Sequence, residues 1–214
     1  MPSVSEILET IKGLALVGEG DSTDDARIMR YINFANREVH RRTAASYPTL
    51  LQTLETVTIT NGAGTLSNIP FRVEFVKDTG NSNNPLTVTT LLDLEEENPA
   101  LDATGSPSKY YFTSAKGIAT YPVNSTAVKV RYVPSSVALT VTDAETAIKL
   151  PVEFHDVLVW GALFWMAYDE RDKGSGQELS LAQGKYEICL GDYLTWLKDN
   201  QPVPTVRTVP VLAS

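Results

Sequence analysis

Two segments near the start of the chain place apolar residues three or four positions apart, the spacing of an amphipathic helix. The first begins after Ser3, which has the spacing of a capping box with Glu6. Its apolar positions are Val4, Ile7, Leu8, Ile11, Leu14 and Ala15. The second begins at Ser22-Thr23-Asp24-Asp25, and its apolar positions are Ile28, Ile32, Ala35 and Val39. Tyr47-Pro48 ends it, because a residue before proline disfavours the helical conformation. We therefore predict two N-terminal helices within residues 1–50.

The middle of the chain changes to the two-residue period of β-strands. Thr56 to Thr60 alternates and then meets Asn61-Gly62, a strong hairpin signal, and a return strand is expected over Phe71 to Val76. Three further strands are predicted at Lys109 to Thr113, Gly117 to Thr120 and Ala127 to Val133. Leu91 to Glu97 is expected to form a short acidic helix. Short strands separated by turn residues predict a small antiparallel sheet or sandwich.

Helical patterning returns after residue 148. Pro151 is expected at the first position of a helix that is apolar on nearly all sides, and such a helix belongs in a core. A last helix is predicted from about Gln177 to Asp199, with an apolar seam at Leu179, Ala182, Tyr186, Cys189, Tyr193 and Trp196. Gly184 and Gly191 lie off this seam, where close approach of another backbone would explain both glycines.

The chain ends in a segment where prolines and valines alternate without glycine. Proline excludes a helix here, so residues 200–214 are predicted to be extended. A disordered terminus is one interpretation. The other is an arm that becomes ordered by docking on a partner.

The order of these elements predicts an α+β fold. We expect an α-helical bundle, made of two N-terminal and two C-terminal helices, with an inserted antiparallel β subdomain and an extended C-terminal arm. The expected segments are residues 1–50 for the first helices, 51–148 for the β subdomain, 149–199 for the last helices and 200–214 for the arm.

Composition narrows the function classes. The 214 residues carry a formal net charge of −8, which disfavours tight nucleic-acid binding and fits a surface that DNA slides past. Cys189 is the single cysteine, so we expect no internal disulfide and no multi-cysteine zinc site, as is typical of a chain made in a reducing cytoplasm. No apolar run reaches the roughly 18 residues that a membrane span needs, and no secretory signal is recognised.

Candidate catalytic and metal-ligating residues are better explained by structure. Asp21, Asp24 and Asp25 lack the spacing of a calcium loop and suit a helix start, and the adjacent carboxylates of residues 95–97 suit a solvated face. A dyad of His40 or His155 with Cys189 has no flanking signature. The glycines of residues 18–20 and 61–64 lack the context of a phosphate loop. We expect no catalytic residue, metal or cofactor, and no enzyme activity.

The second helix is the one basic element of this acidic chain. Its arginines are Arg27, Arg30, Arg37, Arg41 and Arg42. They form either a solvated face with local pairs such as one to Glu38, or a contact with an acidic neighbouring subunit.

Several short motifs occur in a fixed order from about Asp24 to Leu197. They are Tyr31-Ile32-Asn33, Ile69-Pro70, Gly105-Ser106-Pro107, Tyr121-Pro122, Arg131-Tyr132 with Pro134, and Leu150-Pro151. In this order and spacing the chain resembles the head-to-tail adaptor proteins of tailed bacteriophages. The resemblance implies a structural protein of the virion neck, made in the host cytoplasm, which assembles as a ring of 12 subunits on the portal. Such a ring extends the DNA channel, lets DNA pass without specific binding, and receives a downstream tail or nozzle protein.

The resemblance also implies where the contacts lie. The arm is expected to dock on the portal through Pro202, Val203, Pro204, Val206, Arg207, Val209, Pro210 and Val211. The five arginines of the second helix are the candidate subunit interface, with a portal contact as the alternative. Two other functions stay open: a tail-completion, stopper or neck protein, and a carbohydrate- or cell-wall-binding module. The second would need an exposed aromatic platform beside a carboxylate pair, whereas Trp160, Trp165 and Trp196 lie at apolar helical positions that predict core packing.

Overall fold

The computed structural model describes residues 3–15, 22–144, 147–169 and 176–200. The fold is α+β, with helices at both ends of the chain and two sheets between them. The described residues up to Val39 and from Ala138 onward form one compact unit, the helical unit. Those from His40 to Val137 form a second, the β unit. The four-segment division predicted from the sequence, and the bundle arrangement, stay predictions.

The N-terminal helices of the helical unit form where the spacing predicts them. They are α1 (Val4–Ala15) and α2 (Ser22–Ser46), and α2 continues beyond Val39 into the β unit. A four-residue helix, α3 (Pro48–Leu51), follows α2. The predicted stripe of α2 is buried at all four positions, Ile28, Ile32, Ala35 and Val39. On α1, Val4, Ile7, Leu8 and Ile11 are buried, whereas Leu14 is half exposed.

The start of the core helix differs from its prediction. Pro151 is extended (φ −58°, ψ 146°) and caps a short 3₁₀ turn, Val152–Phe154, and the α-helix α5 runs over Asp156–Asp169. The imidazole Nε2 of the buried His155 lies 3.2 Å from the carbonyl oxygen of Leu150, and the carbonyl of His155 accepts the first bonds of α5. The prediction of Pro151 as the first α-helical residue is therefore wrong, because the turn that follows it winds more tightly than an α-helix.

The last helix, α6 (Gly176–Asp199), packs against α5. Its buried positions are Ala182, Tyr186, Leu190, Tyr193 and Leu197. Ala182, Tyr186 and Tyr193 are buried as predicted, but Cys189 is half-buried and Trp196 is 38% exposed. At these two positions the prediction is wrong by one residue, because Leu190 and Leu197 are buried instead. The reason is that a straight helix has 3.6 residues per turn, and its contact line drifts away from a seven-residue repeat.

Gly161 on α5 is the point where three helices meet. A Cβ at this position would lie 2.7 Å from the Cβ of Ala35 on α2 and 3.0 Å from the Tyr186 ring on α6. Only glycine allows this approach without a shift of the neighbouring helices.

The β unit contains two four-stranded sheets. Its strands are β1 (Thr53–Ile59), β2 (Ala63–Thr65), β3 (Pro70–Asp78), β4 (Asn84–Pro85), β5 (Thr87–Val88), β6 (Lys109–Phe112), β7 (Gly117–Tyr121) and β8 (Thr126–Pro134). Sheet A has the order β1-β8-β3-β4 and sheet B the order β2-β7-β6-β5. The acidic helix α4 forms at Leu91–Glu97, as predicted, behind a capping box of Thr90 and Asp93.

The antiparallel prediction holds for every described strand pair except one. β5 pairs with β6 in parallel. These strands are joined by α4, and a crossover through a helix returns the chain in the same direction. The turn at Asn61-Gly62 forms as predicted, with positive φ at both residues. The short strand after it joins sheet B, whereas the predicted return strand, β3, pairs with β8 in sheet A.

The core of the β unit lies between the sheets. Sheet A contributes Val57, Ile59, Val76, Val128, Val130 and Tyr132, and the sheet B side contributes Leu66, Leu86, Tyr110 and Ile118. The cross-strand registers place Lys109 and Tyr121 on the outer face of sheet B, because Tyr110 and Ile118 occupy the inner one.

Candidate functional site

Cys189 and His155, two of the residues considered for catalysis, each lie in a structural environment. His155 is buried and its Nε2 faces the carbonyl of Leu150. Burial raises the pKa of the Cys189 thiol, and the carboxylates of Asp156 and Asp192 raise it further. A thiol with a raised pKa is a poor nucleophile at neutral pH, so the environment of Cys189 is that of a structural cysteine.

Three of the acidic residues considered as ligands, Asp24, Asp25 and Glu97, pair with cations instead. Asp25 pairs with Lys12 at 2.6 Å, and Asp24 pairs with Arg27 at 3.9 Å. Asp21 lies outside the described residues. On α4, Glu97 pairs with Lys109, while Glu95 and Glu96 are exposed. Within the described ranges, no group of three or more His, Cys, Asp or Glu residues is placed to hold a metal ion.

Four of the five arginines share one side of α2. At about 100° per residue, positions 27, 30, 37 and 41 fall within a sector of roughly 80°, whereas Arg42 lies outside it. Arg27 is half-buried, and the other four are exposed. Phe34 falls in the same sector, away from the buried stripe. Arg30 and Arg37 belong to the helical unit, whereas Arg41 and Arg42 belong to the β unit.

Arg30 and Arg37 each stack on an aromatic ring of their own helix. The guanidinium carbon of Arg30 lies 5.0 Å from the centre of the Tyr31 ring, and that of Arg37 lies 4.8 Å from the centre of the Phe34 ring. Arg37 also donates from Nε to the carbonyl of Asn33, at 3.3 Å. Stacking and hydrogen bonding hold both guanidinium groups in defined positions, which lowers the entropy that a partner must remove.

The aromatic layer beneath these arginines continues onto α5. Phe34 meets Trp165 edge-on, with ring centres 6.0 Å apart, and Trp165 meets Tyr168 at 5.9 Å. Phe164 lies beside Trp165 at 5.3 Å and stacks on Tyr186 of α6 at 6.0 Å. This layer therefore connects α2, α5 and α6.

A hydrogen-bonded cluster borders the layer. The hydroxyl of Tyr31 donates a short hydrogen bond to the carboxylate of Asp169, which also pairs with Arg30 at 3.4 Å. Burial raises the pKa of the Tyr31 hydroxyl, and its hydrogen bond to Asp169 raises that pKa further. Tyr31 is thus a neutral donor that orients Asp169, and Asp169 orients Arg30.

We call Arg30, Phe34, Arg37, Trp165 and Tyr168 the arginine–aromatic surface. Phe34 and Trp165 are half-buried, and the other three residues are exposed. Arginine, tryptophan and tyrosine are the residues most enriched among those that carry the binding energy of protein interfaces. The surface has the composition of a protein-binding site and contains no reactive group.

The sequence pattern identifies the arginines of this surface but not Trp165 and Tyr168, because it predicts that both lie on the core helix. One feature of the sequence does indicate an aromatic group beside the arginines: Phe34 lies on the arginine side of α2 rather than on its apolar stripe. No comparable signal exists for α5, which is apolar on nearly all sides.

The outward side of α6 carries a second candidate surface. Leu181 is 60% exposed and Ile188 is 61% exposed, although both are large and apolar. Gly184 and Gly191 alternate with them, and a Cβ at either glycine would meet nothing within 4 Å. Thr195, four residues after Gly191, continues the alternating three- and four-residue spacing of these positions. We call these five residues the α6 outer stripe.

The predicted portal contact, Pro202, Val203, Pro204, Val206, Arg207, Val209, Pro210 and Val211, lies outside the described residues. The arm follows directly on α6, the helix that carries the outer stripe.

The three tryptophans do not form a sugar-binding platform. Trp160 and Trp165 are half-buried. Trp196 is more exposed than expected, but its ring lies 5.4 Å from that of Phe154, with an interplanar angle of 51°. In the part of the chain that the structure describes, no helix is long and apolar enough to cross a membrane.

Comparison with known proteins identifies the family. A search of curated proteins finds no match to the chain. A family model described as SU10 adaptor protein matches residues 2–208, nearly the whole chain, which confirms the resemblance seen in the motifs. The chain therefore belongs to the SU10 adaptor protein family, a family of bacteriophage head-to-tail adaptors.

Proposed function

We propose that this protein is the subunit of a ring that binds the portal, extends the DNA channel and offers a docking platform for a downstream tail or nozzle protein. The observation that supports the proposal is the arginine–aromatic surface: two oriented cations above an aromatic layer, with the composition of a protein-binding site, on a member of a phage adaptor family. A phage adaptor is a structural component of the virion.

The surface suits a contact between subunits or with the portal. The chain has a net charge of −8, so each copy presents many carboxylates to its neighbours. Bidentate pairing of a guanidinium with a carboxylate combines charge with fixed geometry. Arg30 and Arg37 are exposed, and each is held on a ring, so an acidic neighbour meets two oriented cations above an apolar floor. A head-to-tail contact of this kind closes into a ring when the rotation between neighbours is right.

We further propose that residues 201–214, the part of the arm beyond the described residues, dock on the portal. The valines and prolines of this part suit an extended strand added to a partner. An arm that becomes ordered only on docking delays ring assembly until the portal is present. Deletion of residues 201–214 is expected to abolish portal binding while leaving the thermal transition of the folded part unchanged. Intact portal binding after the deletion would contradict a portal-docking arm.

The ring proposal is tested by co-sedimentation of the protein with portal rings from the same phage. Wild-type protein should sediment with the portal, and the Arg30→Ala/Arg37→Ala variant should sediment at most weakly. Lys149→Ala/Lys198→Ala is a matched control, because it also removes two exposed cations but lies elsewhere in the chain. A tail-completion or stopper protein, the alternative function, would bind tail tubes and leave the portal unoccupied.

A further inference from the structure

The outer face of sheet A carries a cluster of cations in an otherwise acidic protein. In the register of the sheet, Lys129 on β8 lies between Thr56 on β1 and Lys77 on β3. Two residues further along β8, on the same face, Arg131 lies between Leu54 and Phe75. We call Leu54, Phe75, Lys77, Lys129 and Arg131 the basic face. Lys129 and Arg131 are exposed, and Leu54 is 56% exposed despite its apolar side chain.

This arrangement is unfavourable in the isolated subunit. Lys77 and Lys129 are direct cross-strand partners, and like charges at such positions repel each other. The two cations that are stabilised locally share a single ring: the Nζ of Lys77 and the guanidinium carbon of Arg131 each lie 4.8 Å from the centre of Phe75. Within the described residues, no carboxylate pairs with any of the three cations.

The acids on the same strands are engaged elsewhere. Glu55 accepts hydrogen bonds from the backbone and hydroxyl of Ser67 and from the hydroxyl of Tyr132. Asp78 is buried and accepts from Thr126 and from the backbone of Gly80. Glu74 pairs with Arg72 at 3.0 Å. The basic face is therefore left without a counter-charge of its own.

The complementary surface lies on α4. Leu92, Glu95 and Glu96 occupy one side of this helix, at spacings of three and four residues, and we call them the acidic helix face. Leu92 is 65% exposed, and both glutamates are exposed with no ion pair among the described residues. Leu94, on the opposite side of the helix, is fully buried and anchors α4 to the unit.

The two faces lie on opposite sides of the β unit. The end of α4 is tied to the outer face of sheet B, because Glu97 pairs with Lys109 and the side chain of Asn98 donates to the hydroxyl of Tyr121 at 2.8 Å. The basic face is the outer face of sheet A, and the core lies between the two sheets. One copy can therefore present its acidic helix face to the next while its basic face stays open to a third.

We propose that the basic face binds the acidic helix face of a second copy of this chain. Each face combines apolar and charged groups: Leu54 and Phe75 receive Leu92, and Lys129, Arg131 and Lys77 receive Glu95 and Glu96. The contact is heterologous, so it propagates from copy to copy and closes into a ring when the rotation between neighbours is right. The inference rests on the proposed ring and adds to it which faces of the subunit meet.

The test is a pair of charge reversals in the full-length protein, with ring formation on portal rings measured by negative-stain imaging and co-sedimentation. Lys129→Glu/Arg131→Glu should raise the protein concentration needed for ring formation at least about tenfold, and so should Glu95→Lys/Glu96→Lys. The variant that carries all four substitutions should recover ring formation, because its two faces are again complementary. Lys149→Glu/Lys198→Glu changes the net charge as much as the first reversal does and should assemble like wild type.

The outcomes separate this inference from the ring itself. If wild type forms rings on the portal and both reversals do so equally well, this pairing of faces is wrong and the adaptor proposal stands. If wild type binds no portal and forms no ring, the adaptor proposal fails. Duplex DNA is the other class of partner for a basic face. Its binding is measured by fluorescence anisotropy at the same ionic strength. Loss of DNA binding in Lys129→Glu/Arg131→Glu, with normal rings, would assign the basic face to DNA and overturn the pairing.

Discussion

The guanidinium of Arg37 lies 4.8 Å from the centre of the Phe34 ring, three positions earlier on the same helix. The Phe34 ring in turn packs against Trp165 of another helix, so the position of an exposed cation is linked to the packing of α2 on α5. The stacking keeps the guanidinium of Arg37 oriented, and the side chain stays exposed. An arginine held in this way suits binding better than it suits folding.

This relationship predicts a separation of binding from stability. Arg37→Ala should weaken binding to the portal or to the neighbouring subunit by about 1–2 kcal/mol, roughly five- to thirtyfold, because the residue lies in the arginine–aromatic surface. The free energy of unfolding of the free protein should change by no more than about 0.5 kcal/mol, since the side chain is exposed. Titration calorimetry and urea unfolding measure the two quantities.

The conservative variant distinguishes charge from geometry at this position. Arg37→Lys keeps the positive charge but loses the planar group that stacks and pairs with two oxygens. We expect it to recover only part of the lost affinity. Full affinity in both variants would remove Arg37 from the interface.

A buried ion pair between α1 and α2 predicts how stability depends on pH. The ammonium of Lys12 lies 2.6 Å from Asp25 and 3.0 Å from Glu9, and its side chain is only 7% exposed. The close contact with Asp25, and then that with Glu9, raises the pKa of Lys12 above its usual 10.5. A group whose pKa is raised in the folded state stabilises that state fully below the unfolded pKa. We therefore expect this contribution to persist below pH 10.5 and to disappear as the pH rises through the higher, folded value.

Thermal unfolding of wild type and Lys12→Met between pH 8 and about pH 12 tests this expectation. Burial also raises the pKa values of Tyr31, Tyr110 and Tyr132, so both proteins lose stability at alkaline pH. The difference between the two proteins isolates Lys12: it should be largest below pH 10.5 and shrink above it. A difference that is constant over the whole range would show that the charge of Lys12 contributes nothing.

Three glycines on the C-terminal helices should respond in opposite directions to the same substitution. Gly161→Ala places a Cβ 2.7 Å from that of Ala35, so we expect it to destabilise the free protein by about 1–3 kcal/mol despite the better helix propensity of alanine. Gly184→Ala and Gly191→Ala meet open space and should each stabilise it by up to about 1 kcal/mol. Urea unfolding of the three variants measures these changes, and a stabilising Gly161→Ala would contradict the close packing.

The same two outer glycines bear on assembly. If another helix backbone packs against the α6 outer stripe, Gly184→Ala and Gly191→Ala should weaken ring formation while they stabilise the subunit. Equal ring formation in both variants would leave these glycines without a role at an interface.

The environment of Cys189 predicts that its thiol reacts slowly with alkylating reagents. Burial raises the pKa of its thiol, so the thiolate fraction at pH 8 should be lower than that of a free cysteine. Alkylation by iodoacetamide should therefore be slower in the native protein than in urea. Equal rates in both states would contradict the structural role assigned to this residue.

The sequence predicts local structure well where one residue pattern determines it. The buried stripe of α2, the short helix α4 and the hairpin turn at Asn61-Gly62 each follow from spacing, capping or turn chemistry that lies within a few residues. The start of α5 does not follow from a local pattern, because proline suits both the first position of a helix and the extended residue before it, where Pro151 lies.

These local patterns do not predict which strands pair with each other when they lie far apart in the sequence. Nothing in Ala63–Thr65 indicates that this strand joins the sheet opposite its hairpin partner, or that β5 and β6 run in parallel. The same holds for the candidate surfaces. The arginines are visible as a charge pattern on one helix, whereas Trp165 joins them only through the packing of α5 on α2. The basic face exists because the register aligns Lys77 with Lys129, which lie far apart in the chain.

The most direct test of the account is to image portal rings from the same phage with and without this protein. The account predicts an additional ring of density below the portal, with the portal's own rotational symmetry, present with wild type and strongly reduced with Arg30→Ala/Arg37→Ala. Unchanged portal particles in the presence of folded wild-type protein would contradict the adaptor function, and binding to isolated tail tubes instead would assign the protein to the tail side of the neck.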